Sequence, residues 1–163
     1  MTNRVKKNLP DFIYIGTGKA GTTWLFKTLQ NHPDLFMAPC KETNYFDLNY
    51  PKGIDWYQTF FESAIKGQLV GEISHRYIHH LDSAKRIKND LGEIKIIVGL
   101  RDPVDYCLSD YLYTKRNGRF VGSFDDWCKS KFDWSTINYK LMLMPYLEQF
   151  PRENIMIYDF NDL

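Results

Sequence analysis

A glycine-rich stretch near the start of the chain, Ile15-Gly16-Thr17-Gly18-Lys19-Ala20-Gly21-Thr22-Thr23-Trp24, narrows the choice of fold more than anything else in it. It follows directly on a short apolar, β-rich run, Phe12 to Ile15, and Thr22, Leu25, Phe26 and Leu29 then recur at helical spacing. Asn31-His32-Pro33 stops that helix, because a residue before proline is pushed out of the α region. Strand, loop and helix in this order put backbone N–H groups and the positive helix end where they can cradle an anion. Glycines let the chain bend and come close to a phosphate, and the hydroxyls of Thr22 and Thr23 add donors. The spacing departs from the nucleotide-binding pattern GxxxxGK[ST]. Gly16, Gly21 and Thr23 fit it, but Thr22 stands where the lysine belongs and Lys19 lies inside the loop. The run Ile96 to Leu100 ends in Arg101 rather than an acid, so no obvious Walker-B strand follows. The loop suits a phosphate-bearing ligand but is a poor NTPase loop.

The rest of the chain alternates in the same way. Strands are expected at Leu35 to Met37, Leu69 to Ile73, Ile94 to Leu100 and Ile155 to Tyr158. Helices are expected over 55–65, 80–91, from Val104 to Asn117-Gly118, after Ser123, and over 135–149, where Pro145 should kink or split the helix. Ser123-Phe124-Asp125-Asp126 carries an N-cap with an acid at the third helical position. The segment 40–53 is loop-like and residues 1–10 form a loose arm. The alternation predicts a single α/β domain over 1–163, with a mostly parallel central sheet flanked by helices in three P-loop-like layers. Lys and Arg total 21 against 20 Asp and Glu, which removes the simplest argument for a nucleic-acid partner. Cys40, Cys107 and Cys128 have neither disulfide-scaffold nor zinc-ligand spacing and read as reduced, partly buried thiols. The N-terminal residues lack a signal-peptide core and no run has the ~18 apolar residues of a membrane span. A soluble cytoplasmic protein, without membrane attachment, is the expectation.

IGTGKAGTTWL resembles the 5′-phosphosulfate loop of the sulfotransferases that use 3′-phosphoadenosine-5′-phosphosulfate. Further segments are similar in family order. NHPDLFMAPCKETNYFD (31–47) and VGEISHRYI (70–78) resemble segments of the heparan-sulfate-type and related carbohydrate sulfotransferases. IIVGLRDPVDYCLSDYLY (96–113) resembles the 3′-phosphate segment, and FPRENIMIYDFNDL (150–163) a later strand and turn. Family members continue with a basic, glycine-containing loop that closes over the adenosine; this sequence is C-terminally short of it, ending at Leu163.

The resemblance implies a metal-independent sulfuryl transfer to a small-molecule or glycan acceptor, with roles for particular residues. Gly18, Lys19, Ala20, Gly21, Thr22, Thr23 and Trp24 would bind the donor's 5′ end, and Arg101 and Ser109 its 3′-phosphate. Lys19 would stand beside the oxygen that leaves. Glu42 sits where the carbohydrate enzymes carry their catalytic glutamate, and a carboxylate in a partly closed, aromatic-lined cleft suits proton abstraction. Among the histidines available as an alternative base, His75, His79, His80 and His32, His75 ranks first, although the family often has proline there. His32, before Pro33, is better placed to shape the turn, and Lys41 reads either as a contact to an anionic acceptor or as a surface charge. Two other readings compete: a P-loop kinase or NTPase, and a non-catalytic module that kept a nucleotide cradle.

Overall fold

The computed structural model describes residues 9–163. Strands β1 (Phe12–Gly16), β2 (Leu35–Met37), β3 (Leu69–Ile73), β4 (Lys95–Leu100) and β5 (Ile155–Asp159) form one sheet in the order β2-β3-β1-β4-β5. Every pairing is parallel. Parallel neighbours need long crossovers, which the helices supply. The chain runs outward from β1 to β2 on one side, then returns from β3 across β1 to β4. Winding thus reverses around β1, and in such sheets ligands bind beyond the C-terminal strand ends at the reversal.

The pleat of β1 separates the two faces. Ile13 and Ile15 join Ile96, Val98 and Ile155 under α2 (Ile54–Gln58), α3 (Ser83–Leu91) and α6 (Tyr139–Gln149), which bring in Tyr57, Ile87 and Tyr146. Phe12 and Tyr14 join Ile73 on the opposite face, packed on Leu25, Phe26 and Leu29 of α1 (Thr22–Gln30). The three-layer α/β architecture is therefore the one expected. A separate aromatic cluster of Tyr106, Tyr111, Trp127 and Phe132 joins α4 (Pro103–Arg116) to α5 (Phe124–Ser130). Asp102 caps α4 by accepting the N–H groups of Val104 and Asp105. Ser123 and Asp126 form the expected capping box of α5.

Several boundaries differ from the sequence reading. The helix expected over 55–65 ends at Gln58 and tightens into a 3₁₀ turn, Thr59–Phe61. The one expected from 80 begins at Ser83, after the 3₁₀ turn Tyr77–His79. Pro145 does not split its helix; the break falls at Asn138, whose side chain accepts the Leu141 N–H and starts α6 afresh. Pro145 deprives only the Leu141 carbonyl of a donor, and Leu141 is exposed, so water can serve it. Of the expected N-terminal arm, 1–8 lies outside the described residues, while Leu9 packs against the main core and Pro10 is buried. Cys40 is exposed rather than partly buried, and the thiols of Cys107 and Cys128 lie 3.7 Å apart. No helix among the described residues is long and apolar enough to cross a membrane.

Candidate active site

The loop after β1 is held from behind by its carbonyls. Tyr14 Oη donates to the Thr17 carbonyl (2.7 Å), Arg101 Nη1 to that of Lys19 (2.9 Å) and Tyr158 Oη to that of Ala20 (3.0 Å). In a trans peptide the C=O and N–H point opposite ways. Drawing these carbonyls inward therefore turns the N–H groups of Gly18, Ala20 and Gly21 outward, toward an anion. Gly21 caps α1 at φ 76°, a left-handed conformation that glycine adopts without penalty. Gly18 is needed for space: a Cβ there would meet the His75 ring at 2.9 Å. Lys19, Gly21, Thr22, Thr23 and Trp24 line a cavity of about 530 Å³, together with Lys41, His75, Asp110, Tyr113 and Arg116.

The loop after β2 forms the opposite rim. The Ala38 N–H bonds to the Gly71 carbonyl and the Glu42 N–H to the Ile73 carbonyl, so residues 38–42 are pinned at both ends to β3. Glu42 (φ 67°) and Asn44 (φ 50°) adopt left-handed conformations that residues with a Cβ seldom take, as does Lys19 (φ 62°) across the cleft. Such strain persists only where surrounding structure imposes it, and it gathers at functional sites. Glu42 Oε1 lies 2.6 Å from His75 Nδ1, and Oε2 accepts the His75 backbone N–H. The two candidate bases are therefore one hydrogen-bonded pair, with the His75 ring lining the cavity and the carboxylate beside it.

Beneath this rim lies Glu72, fully buried in β3. Its carboxylate accepts hydrogen bonds from the hydroxyls of Thr43 and Tyr57, from Ser74 at 2.6 Å and from Tyr77 at 2.7 Å. Ser74 Oγ in turn accepts the Asn44 N–H, and Tyr77 Oη the Tyr45 N–H. Glu72 thereby anchors the backbone just after Glu42. Burial raises its pKa, and the four hydroxyls oppose that rise.

The far wall is α4. Lys19 Nζ sits 3.6 Å from Asp110 Oδ1 and 3.4 Å from the centre of the Tyr113 ring, so its ammonium leans toward the helix. Burial lowers the Lys19 pKa, and Asp110 works against that shift. Ser109 lines an adjoining cavity of about 470 Å³ with Lys19, Leu112, Tyr113 and Arg116. Arg101 is not with it: its guanidinium braces the Lys19 carbonyl and stacks 4.6 Å over the Phe160 ring.

The sequence profile of the sulfotransferase domain matches residues 9–163. The chain belongs to the sulfotransferase family. It is 42% identical over 116 residues to the membrane-associated sulfotransferase kil1 of Dictyostelium discoideum, covering 67% of this chain and 25% of that protein. It is 34% identical over 155 residues to the heparan sulfate glucosamine 3-O-sulfotransferase 3B1 of Mus musculus, covering 89% and 40% respectively. The chain thus spans between a quarter and two-fifths of the length of these relatives. A crystal structure of a sulfotransferase from Alicyclobacillus acidocaldarius superposes with a TM-score of 0.82 at 25% identity, over 94% of this chain and 74% of that one.

In this sulfotransferase fold the residues proposed from sequence fall into three groups. Lys19, Gly21, Thr22, Thr23, Trp24 and His75 share the larger cavity, Glu42 adjoins it through His75, and Ser109 opens onto its neighbour. Ala20 and Gly18 support the loop from within. Arg101 acts from behind, and Arg116, unremarked in the sequence, is the arginine that faces both cavities. His79 and His80 line a different cavity of about 270 Å³ beside α6, and His32 Nδ1 accepts the Asp34 N–H in its turn. Sequence reasoning also missed Asp110, Tyr113 and Glu72. A buried strand glutamate was the available signal for the last.

Proposed function

We propose that this chain transfers a sulfuryl group from 3′-phosphoadenosine-5′-phosphosulfate to a hydroxyl or amine of a carbohydrate or small-alcohol acceptor. The observation that carries the reading is a single cavity bordered by an outward-turned amide loop, two lysines and a carboxylate–imidazole pair. The donor's 5′-phosphate sits against the N–H groups of Gly18, Ala20 and Gly21 and the hydroxyl of Thr22. Ser109 and Arg116 receive the 3′-phosphate from α4, and exposed Trp24 offers an aromatic face to the base. The acceptor oxygen or nitrogen attacks sulfur, its proton passing to the Glu42–His75 pair, while the bond from sulfur to the bridging oxygen breaks and leaves its electron pair on the phosphate. Positioning and charge stabilisation supply most of the rate in such group transfers. Two of the relatives named above act, by name, as sulfotransferases, one of them on heparan sulfate glucosamine, which supports a glycan acceptor.

Calorimetry tests the donor half. Adenosine 3′,5′-bisphosphate should bind without magnesium and clearly more tightly than ATP or AMP; magnesium-dependent ATP binding of equal strength refutes the reading. A mass-spectrometric screen of glycans and alcohols with labelled donor then identifies the acceptor.

A further inference from the structure

We infer that Lys41 is a second catalytic lysine, contacting the sulfuryl group itself while it is in transit. The assignment rests on the sulfuryl-transfer reading and deepens it. Lys41 rides on the 38–42 span, which β3 holds at both ends, so its position is fixed by the sheet rather than by a free loop. Its ammonium lies 2.9 Å from Thr22 Oγ1 and 3.1 Å from Thr23 Oγ1, at the mouth of the amide loop. On its other side it is 3.8 Å from Glu42 Oε1. It therefore occupies the gap between the groups that receive the phosphate and the pair that receives the proton. Sulfur must cross that gap.

Lys19 stands differently. Asp110 and the Tyr113 ring hold its ammonium toward α4, on the nucleotide side of the cavity. A division of labour follows: Lys19 serves the phosphate and Lys41 the three sulfuryl oxygens. As the bond from sulfur to the bridging oxygen breaks and the bond from the acceptor forms, negative charge is spread over those oxygens and the leaving phosphate. A cation already hydrogen-bonded at the loop mouth meets that charge without reorganising. Lys41 also sets a charge beside Glu42, keeping the carboxylate at the cleft without joining it in a tight ion pair.

The test uses the full chain and two nucleotides, with and without the sulfuryl group. In Lys41→Ala, transfer to an accepting substrate should fall about a hundredfold or more, the usual loss for one preorganised charge-stabilising group. Binding of adenosine 3′,5′-bisphosphate, which lacks the sulfuryl group, should stay within about threefold of wild type. Binding of the intact donor, measured without acceptor, should weaken more than that of the bisphosphate. Lys41→Arg should recover part of the rate, and both variants should unfold near the wild-type temperature. Transfer close to wild type in Lys41→Ala overturns the inference, as does an equal loss of affinity for both nucleotides, which would make Lys41 a brace of the loop. A wild-type chain that binds neither nucleotide overturns the sulfuryl-transfer reading instead, and Lys41 with it.

Discussion

The wall of the cleft built by the loops after β1, β2 and β3 rests on the sheet, whereas the wall built by α4 rests on an aromatic cluster of its own. On the sheet side, three buried or half-buried side chains hold loop carbonyls, and Glu72 ties the 43–45 backbone to β3. On the helix side, Tyr111 and Trp127 join α4 to α5 within a cluster distinct from the main core. The groups proposed above to meet the reacting atoms, Lys41, Glu42 and His75, belong to the first wall. Ser109 and Arg116, proposed above to receive the 3′-phosphate, belong to the second, as does Tyr113, whose ring meets the Lys19 ammonium. On that proposal, the groups nearest the chemistry stand on the sheet, the more rigid kind of support for a site, and those for the rest of the nucleotide stand on a helix packed mainly against α5.

Removing the anchor of the first wall should have the largest effect. Glu72→Ala leaves four hydroxyls without their acceptor, and each buried unsatisfied donor costs about 1–3 kcal/mol. The hydroxyls of Thr43 and Tyr77, 3.1 Å apart, can still bond to each other, which leaves the other two stranded and an expected loss of roughly 3–5 kcal/mol, lowering the melting temperature by roughly 10 °C. Glu72→Gln separates charge from shape. Because burial raises the folded-state pKa of Glu72, the native state binds more protons than the unfolded state between the ordinary glutamate value and the raised one. This group's contribution to wild-type stability therefore declines as pH rises through that window, and glutamine, which does not titrate, escapes the decline. Melting curves across mildly acid to neutral pH should show the gap moving in favour of Glu72→Gln as pH rises. A gap that is flat, or that moves the other way, means the hydroxyls outweigh burial and Glu72 is held ionised.

Much of this was legible in the sequence, for physical reasons that also explain the rest. The loop announced itself because glycines, lysine and paired threonines coincide at a strand–helix junction, where each has a local cause. The capping box at Ser123 and the apolar β4 are local too. The pairing of Glu42 with His75 joins residues on different strand ends, so sequence could name both candidates but not their contact. Lys41 meets Thr22 and Thr23 only because parallel pairing sets β2 and β1 in one sheet with β3 between them. Arg101 shows a different limit. Its place after β4 is legible in the sequence, but its Nη1 bond to the Lys19 carbonyl is a long-range contact that is not, and neither is the position of Arg116, at the end of α4, on both cavities.

If the second wall is a separate unit, it should loosen separately. Ser123→Ala removes the cap that accepts the Asp126 N–H, at a cost of about 1 kcal/mol. Hydrogen exchange should quicken in α5 and α4 while β1, β3 and β4 keep their protection. Uniform quickening across the chain would show that both walls belong to one cooperative unit and dissolve the contrast.

The smallest effect expected sharpens the contrast at the point where the walls meet. Asp110 and Lys19 are partly solvated, so their attraction is worth less than about 1 kcal/mol. Asp110 also places a negative charge in the cavity proposed for the anionic nucleotide. Asp110→Asn should therefore free Lys19 and strengthen adenosine 3′,5′-bisphosphate binding about two- to fivefold at low salt, less at high salt. The gain should shrink toward alkaline pH. Burial already holds Lys19 below the ordinary lysine range, and Asp110 opposes that shift, so its removal lets the ammonium lose its proton at lower pH. Calorimetry at two pH values reads both signs. Weaker binding by the variant at neutral pH would mean that Asp110 aims Lys19 at the nucleotide, making α4 a partner in positioning rather than a tunable wall.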